Sequence, residues 1–559
     1  MTQDPQNSDS PEPRDTSTRP PDVSSAEARP TAPEAPHDKK RVALLNGACG
    51  QADRIRICGQ VVDIPVTRNQ KFDRWDNLHN LPDSLRQLIR PIEDFTMLAV
   101  RRPKLQIEIL GMAPETLRDN DRAAQLEAAP VLYRSDVIVT GGDGFFAHTL
   151  DQSKIAGAPL QPGRYVVRAI LRGIDSIRQS VADLAYIGNS DSLILQNDIP
   201  IGYGRLVILP DDFTGRVLTS DIDQTFLDTP LHSTQGLMET LFESPAAKRP
   251  IFALPEFFRQ AQKDFPLIFI SASPHFFRRT LSAVFEHHEI EFSGLHLKYM
   301  LSAFDSIMKK FTETMLNLND FLGQGVGASV ERTLKFLGSS VMSLFDHVSY
   351  KLITLLENRL MQPTDAREIL MGDNKESDFF IFSLYQTLLL GEITGEELES
   401  YLYRLNFLDR ESLTRDAAKR IVELTDANLK LHGKLNSVES LWINLSRDEP
   451  GESKMRELIA GALPPAAGVK YAADDGGEIF AKPRAARGGV GFALAAFDEG
   501  LLDESRLLEI LRSGIGGVYQ EQTIDAARIQ QYVREFQPRP GSKLPALLDE
   551  ILQNITKSG

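Results

Sequence analysis

At 559 residues the chain is too long for one ordinary core, so three or four structural units are expected. Hydrophobic residues make up 42% and charged residues 25%, as in ordinary soluble proteins, and the net charge of -15 argues against a general nucleic-acid binder. Cys49 and Cys58 are the only cysteines and have no histidines at metal-ligand spacing, which argues against a disulfide framework or structural zinc and favours a reducing compartment.

The opening MTQDPQNSDSPEPRDTSTRP lacks the apolar run of a secretory signal, and no run of about 18 apolar residues occurs that could span a bilayer. The reading is a cytoplasmic protein without a transmembrane segment. Peripheral membrane attachment stays open, because an amphipathic helix needs no such run. Residues 1–40, rich in Pro, Glu, Asp, Ser and Thr, read as a disordered tail.

From 41 to 208 short strand-like runs such as IRICGQVVDIPV, KLQIEILGM and GRYVVRAIL alternate with Gly, Pro and Asp, the pattern of a β-sandwich-like domain. Within it, VTGGDGFF has the glycines of a phosphate loop. No Lys-Ser/Thr follows and no helix opens there, so Gly141, Gly142 and Gly144 are expected in a tight turn between strands.

Between 209 and 399 the pattern changes to α/β. The strand-like GRVLTS, PLIFISAS and REILMGD are separated by helix-compatible PEFFRQAQKD, HFFRRTLSAVFEHH and FIFSLYQTLLLG, which predicts a parallel sheet covered by helices. An apolar, helical-looking insertion over about 300–346 reads either as packed helices or as a substrate-covering, lipid-facing element. A helical extension is expected over 400–460, including all of ESLTRDAAKRIVELTDANLKLHGKLNSVESLW. The Gly/Ala/Pro-rich 461–490 reads as a linker or loop, and 491–559 as a small helical region containing DESRLLEILRSG and TIDAARIQQYVREF.

Four places in the α/β unit carry chemistry. In DIDQT, Asp221 and Asp223 sit two apart in an extended segment and so face one side; their repulsion invites a divalent cation, and Mg2+ suits all-oxygen donors. Ser271 closes PLIFI and could cap a helix opening near Pro274 or meet a phosphate. Lys351 lies on a predicted helix one helix-length before the strand REIL, a suitable place for a phosphate-binding cation. In MGDNKESD, Asp373 and Asp378 flank a loop after that strand.

In this order, DIDQT, the ISAS serine, Lys351 and GDNKESD resemble the four motifs of the haloacid-dehalogenase-like phosphohydrolases. The fuller phrases TSDIDQTFLDT, FISASPHFF, YKLITLLE and ILMGDNKESD are similar to the catalytic domain of the actin-patch-protein type of phosphatidate phosphatase. The resemblance implies a Rossmann-like catalytic domain that hydrolyses phosphate monoesters with Mg2+. It implies Asp221 as nucleophile and metal ligand, and Asp223 as general acid/base with its backbone carbonyl on the metal. Thr225 would brace the loop, Ser271 would hold phosphoryl oxygens, and Lys351 would balance charge. Asp373 would anchor Mg2+ with Asp378 in support.

Gln224 stands where an acidic residue is common in the group, SASPHF stands in place of an SxSPW-like phrase, and helical sequence follows LYQTLLLG where a strand is expected. Phosphatidate is the substrate implied. The four motifs alone describe the phosphate and not its leaving group, so a soluble phosphometabolite or phosphoprotein remains an alternative. A catalytically inactive membrane-associated or protein-binding module on the same fold is the rival from another class. The sequence does not specify an oligomeric state.

Overall fold

Leu105, Ile107 and Ile109 are inaccessible to solvent and alternate along one strand, the period that puts every second side chain on one face of a sheet. In the computed structural model this pattern builds the front of the molecule. The structure describes residues 39–65, 98–100, 102–117, 121–156, 159–174, 200–228, 248–298, 347–405, 413–446, 450–474, 477–519, 522–539 and 541–556. All of them fall in one compact unit, His37–Gly559. Of the tail expected over 1–40, residues 1–38 lie outside the described residues, as does the insertion expected over 300–346; Lys39 and Lys40, placed by sequence in that tail, instead begin a strand paired across a sheet with Ile64 and Pro65.

Strands β1 (Lys39–Leu45), β2 (Ala48–Gly50), β3 (Arg56–Pro65), β4 (Leu98–Ala99), β5 (Pro103–Leu110), β6 (Val131–Arg134), β7 (Ile138–Val139), β8 (Phe145–Thr149), β9 (Gly163–Ile174) and β10 (Pro200–Ile208) form two sheets. One has the order β1-β3-β4 with β8 also on β3; the other runs β2-β10-β9-β5-β6 with β7 on β5. Pairing is antiparallel except between β2 and β10. A single apolar cluster draws on both sheets, from Val61 and Phe146 on one to Ile107, Val167 and Leu206 on the other. The glycine-rich VTGGDG is a turn between β7 and β8, closed by Gly141 N–H donating to Phe145 O at 2.9 Å, with Gly144 at φ +74°.

Behind these sheets stands a six-stranded parallel sheet: β11 (Arg216–Asp221), β12 (Leu267–Pro274), β13 (Gly294–Lys298), β14 (Arg367–Asp373), β15 (Val438–Asn444) and β16 (Pro483–Ala486). Alternate side chains of β11, β12, β14 and β15 enter two different cores. Leu218, Phe269, Ile369 and Met371, and Trp442 of β15, face helices Leu254–Ala261, Arg278–His287 and Gly488–Asp498. Val217, Ile270, Leu370 and Ile443 face helices His347–Met361, Asp378–Leu389 and Arg415–His432. Burial on both faces is why these strands read as continuous apolar runs.

The strand order is β13-β12-β11-β14-β15-β16. From β11 the chain first builds outward to β12 and β13, then restarts at β14 on the other side of β11. The order therefore reverses between β11 and β14, and open sheets of this kind leave a crevice at the carboxyl ends of such a strand pair.

Two expectations for the rear of the chain need correction. Residues 438–444, assigned by sequence to the tail of a long helix, form strand β15; the helix stops at His432 with Gly433 at φ +73°. The stretch 461–490, expected as a linker or loop, holds the end of helix Glu452–Ala462, helix Pro465–Ala473, strand β16 and the start of helix Gly488–Asp498. Its small residues serve close packing. A Cβ on Gly468 would meet Ala460 O at 2.3 Å, and one on Gly491 would meet Ala486 Cα at 2.7 Å. The boundaries expected at 400 and 461 thus precede the last two strands of the parallel sheet, and the strand missing after LYQTLLLG is supplied by β15.

Candidate active site

Strand β11 delivers Asp221 to its carboxyl end, where the residue is 3% exposed. The chain then folds back on itself: Phe226 N–H and Leu227 N–H both donate to Ile222 O, at 2.8 and 2.9 Å. Gln224 takes a left-handed conformation at φ +60° to make this turn. Thr225 returns beneath Asp221 and its Oγ1 donates to Asp221 Oδ2 at 3.4 Å. Asp228 lies past the turn, its N–H bound to Arg249 O at 3.0 Å.

From β12, Ser271 Oγ donates to Asp223 Oδ2 at 2.9 Å, and Ser273 Oγ donates to the same oxygen at 2.8 Å. Ser271 does not cap the following helix, which begins at Arg278 after a short 3-10 turn at His275–Phe277. Its place on the strand leaves it directed at Asp223 instead.

Helix His347–Met361 carries Lys351 over the sheet end. Its Nζ is 2.7 Å from Asp221 Oδ1, 2.6 Å from Asp378 Oδ1 and 3.8 Å from Glu376 Oε2. Strand β14 ends in Gly372 and Asp373. A Cβ at Gly372 would stand 2.5 Å from Asp378 Cβ, so glycine is what lets the Asp378 side chain tuck against the strand end. There Asp378 Oδ2 accepts from Asp373 N–H at 3.3 Å. Asp373 Oδ1 accepts the N–H groups of Lys375 and Glu376, at 2.5 and 2.8 Å.

The sequence-derived residues therefore converge. Asp221, Asp223, Thr225, Ser271, Lys351, Asp373 and Asp378 gather at the carboxyl ends of β11, β12 and β14, at the reversal of strand order. Asp378, expected beside the metal, pairs with Lys351 and the Asp373 backbone. The carboxylate oxygens lying within 4.8 Å of one another come from Asp221, Asp373 and Glu376. Sequence reasoning left three contributors unassigned. Glu376 was visible within GDNKESD, and Ser273 within SASP. Asn444, at the end of β15, donates from Nδ2 to Gln224 O at 2.7 Å and had no local signal.

Four carboxylates, Asp221, Asp373, Glu376 and Asp378, here surround one ammonium. Burial and the neighbouring carboxylates push Asp221 and Asp373 well above the usual carboxylate range, against the opposing pull of Lys351. Burial also raises Asp378, again against Lys351. Burial works against the charge on Lys351, but Asp221, Asp378, Glu376 and Asp373 outweigh it and hold the ammonium well above the ordinary lysine value. Asp373 Oδ2 is buried without a hydrogen-bond donor. An all-oxygen donor set, an orphaned carboxylate oxygen and an excess of negative charge fit a hard divalent cation.

Residues 216–320 match the family described as phosphatidate phosphatase APP1, catalytic domain. The match starts on the first residue of β11 and includes Asp221, Asp223, Thr225 and Ser271; Lys351, Asp373 and Asp378 lie beyond it. This is the family that the sequence motifs resemble. No curated protein matches the chain. Among the described residues, no helix is long and apolar enough to cross a membrane.

Proposed function

We propose that the chain is a Mg2+-dependent phosphatase of the haloacid-dehalogenase type that hydrolyses phosphate monoesters through an aspartyl-phosphate on Asp221, with phosphatidate as its substrate. The observation that carries this reading is the pairing of two differently held aspartates at one strand end. Asp221 is buried against Lys351, whereas Asp223 is half-buried and held by two serine hydroxyls.

In this mechanism an Asp221 oxygen attacks phosphorus in line with the ester oxygen, and the side chain is kept in place by Thr225. Asp223 gives a proton to the departing alcohol oxygen, then takes one from the water that cleaves the aspartyl-phosphate. Lys351 offsets charge on the phosphoryl oxygens, the main electrostatic task in this chemistry. Mg2+ held by Asp221, Asp373 and Glu376 would add charge neutralisation at the same oxygens.

The match to a phosphatidate phosphatase catalytic domain favours a phospholipid substrate, which a chain of this kind would meet at a membrane surface. The test is phosphate release from phosphatidate vesicles and from a panel of soluble sugar phosphates and phosphopeptides, with Mg2+ and with chelator. Mg2+-dependent release that is fastest on phosphatidate is expected, and Asp221→Asn is expected to abolish it while leaving the folded state intact. Full metal-dependent activity in D221N would remove Asp221 as nucleophile. Release from soluble esters alone would replace the lipid substrate, and no release from any ester would favour a non-catalytic role.

A further inference from the structure

Ser273 lies within the SASP phrase but received no role from the sequence, yet it makes the same contact as Ser271. Both hydroxyls donate to Asp223 Oδ2, at 2.8 and 2.9 Å. Ser273 also donates its backbone N–H to Ser271 Oγ at 2.9 Å. That N–H is available because strand pairing is irregular there: the β12–β13 register passes from Ser271 opposite Leu297 to Pro274 opposite Lys298, leaving Ala272 and Ser273 outside the ladder. The two serines, two apart in an extended segment, face the same side.

A serine hydroxyl has one proton. Ser271 now spends it on Asp223, so it can donate to a phosphoryl oxygen only by releasing Asp223. We propose, resting on the phosphatase reading above, that Ser273 is a positioning residue that holds Asp223 in place when Ser271 turns to the bound phosphoryl group. With Oδ2 fixed by Ser273, Oδ1 is the oxygen presented to the leaving group. As the bond from Asp221 to phosphorus forms and the bond from phosphorus to the ester oxygen breaks, the proton on Oδ1 passes to that oxygen. Ser271 and Ser273 thus divide two tasks, binding the phosphoryl group and aligning the acid.

The test compares Ser273→Ala, Ser273→Thr and Ser271→Ala in the full chain with Mg2+. Two measurements are made: kcat and KM on phosphatidate vesicles, and binding of beryllium fluoride, a phosphoryl mimic on Asp221 that needs no acid. S273A is expected to lower kcat by roughly 10- to 100-fold, part of the general acid/base contribution, with KM and beryllium fluoride affinity within twofold of the original protein. S273T, which keeps the hydroxyl, is expected to restore most of kcat. S271A is expected to raise KM and weaken beryllium fluoride binding, with melting temperatures confirming that each variant folds. An unchanged kcat in S273A, a loss of beryllium fluoride binding equal to that of S271A, or failure of threonine to rescue would each overturn the assignment. An unmodified protein inactive on every ester would overturn the phosphatase reading and this assignment with it, whereas S273A at full kcat overturns the assignment alone.

Discussion

Lys351 Nζ stands 2.7 Å from Asp221 Oδ1, with both side chains almost wholly withdrawn from solvent. They come from a helix and a strand 130 residues apart in sequence, and neither would be tolerated in the interior alone. Breaking a buried pair by removing one partner typically costs about 3–5 kcal/mol, because the remaining charge keeps its desolvation penalty. Here removal of the lysine leaves four carboxylates facing each other.

Lys351→Met is therefore expected to lower stability by roughly 3–5 kcal/mol in chelator, read as a fall in the urea midpoint, and to abolish phosphate release. Adding Mg2+ should recover part of the stability and little of the activity, because the cation offsets carboxylate charge but does not replace the ammonium over the phosphoryl group. A K351M protein as stable as the original in chelator would show that the pair does not hold the site together.

A second expectation follows from the raised carboxyls of Asp221, Asp373 and Asp378, each driven mainly by burial. For an acid whose folded pKa exceeds the unfolded one, the folded state keeps a proton that the unfolded chain has shed. Its contribution to stability is therefore lost as pH rises through the folded value. In chelator, these groups should make the protein less stable as pH rises above the ordinary carboxylate range. Cation binding requires the deprotonated forms and stabilises the folded state by mass action. The Mg2+-induced rise in Tm should accordingly be larger at pH 8 than at pH 5.5, and Asp373→Asn should flatten that difference. A Mg2+ effect independent of pH would separate the cation from these carboxylates.

The parts of this site legible in the sequence share one property: each is a polar residue at the end of a strongly apolar strand or in the few residues after it, or a lysine on a helix at a suitable spacing. Asp221, Ser271 and Asp373 end β11, the regular part of β12, and β14, and period and composition marked all three segments. What was hidden depended on contacts across the chain. Glu376 gains meaning only when the loop after β14 folds back under Asp221. Ser273 needs the strand irregularity that frees its N–H. Strand β15 was obscured because VESLWIN follows an acidic and basic helix closely, although Gly433 after the basic last turn, with Lys430 and His432, is a recognisable helix stop. In 461–490, composition pointed to a linker, while the physical reason for the small residues was close backbone approach at Gly468 and Gly491.

Asn444 is where the late part of the chain acts on the early motif. It is completely buried at the end of β15 and ties three segments together. Its Nδ2 donates to Gln224 O at 2.7 Å, its Oδ1 accepts from Gly488 N–H at 3.0 Å, and its carbonyl accepts from Asn374 N–H at 3.1 Å. Gln224 sits between Asp223 and Thr225 at φ +60°, so a shift at its carbonyl moves both the acid and the residue bracing Asp221. Asn444→Ala removes the two side-chain contacts while keeping the backbone one, at a cost of roughly 1–3 kcal/mol for each buried group that loses its partner. Asn444→Asp keeps the acceptor for Gly488 N–H but brings an oxygen against Gln224 O and adds charge on the strand position opposite Asp373. Both variants are expected to lower the urea midpoint and kcat, with N444D losing more kcat than N444A because it repels the Gln224 carbonyl and does not merely release it. The order reverses if Asn444 matters only as an anchor for Gly488, since N444D would then be the milder change; stopped-time phosphate release and urea titration of the two variants decide between these outcomes.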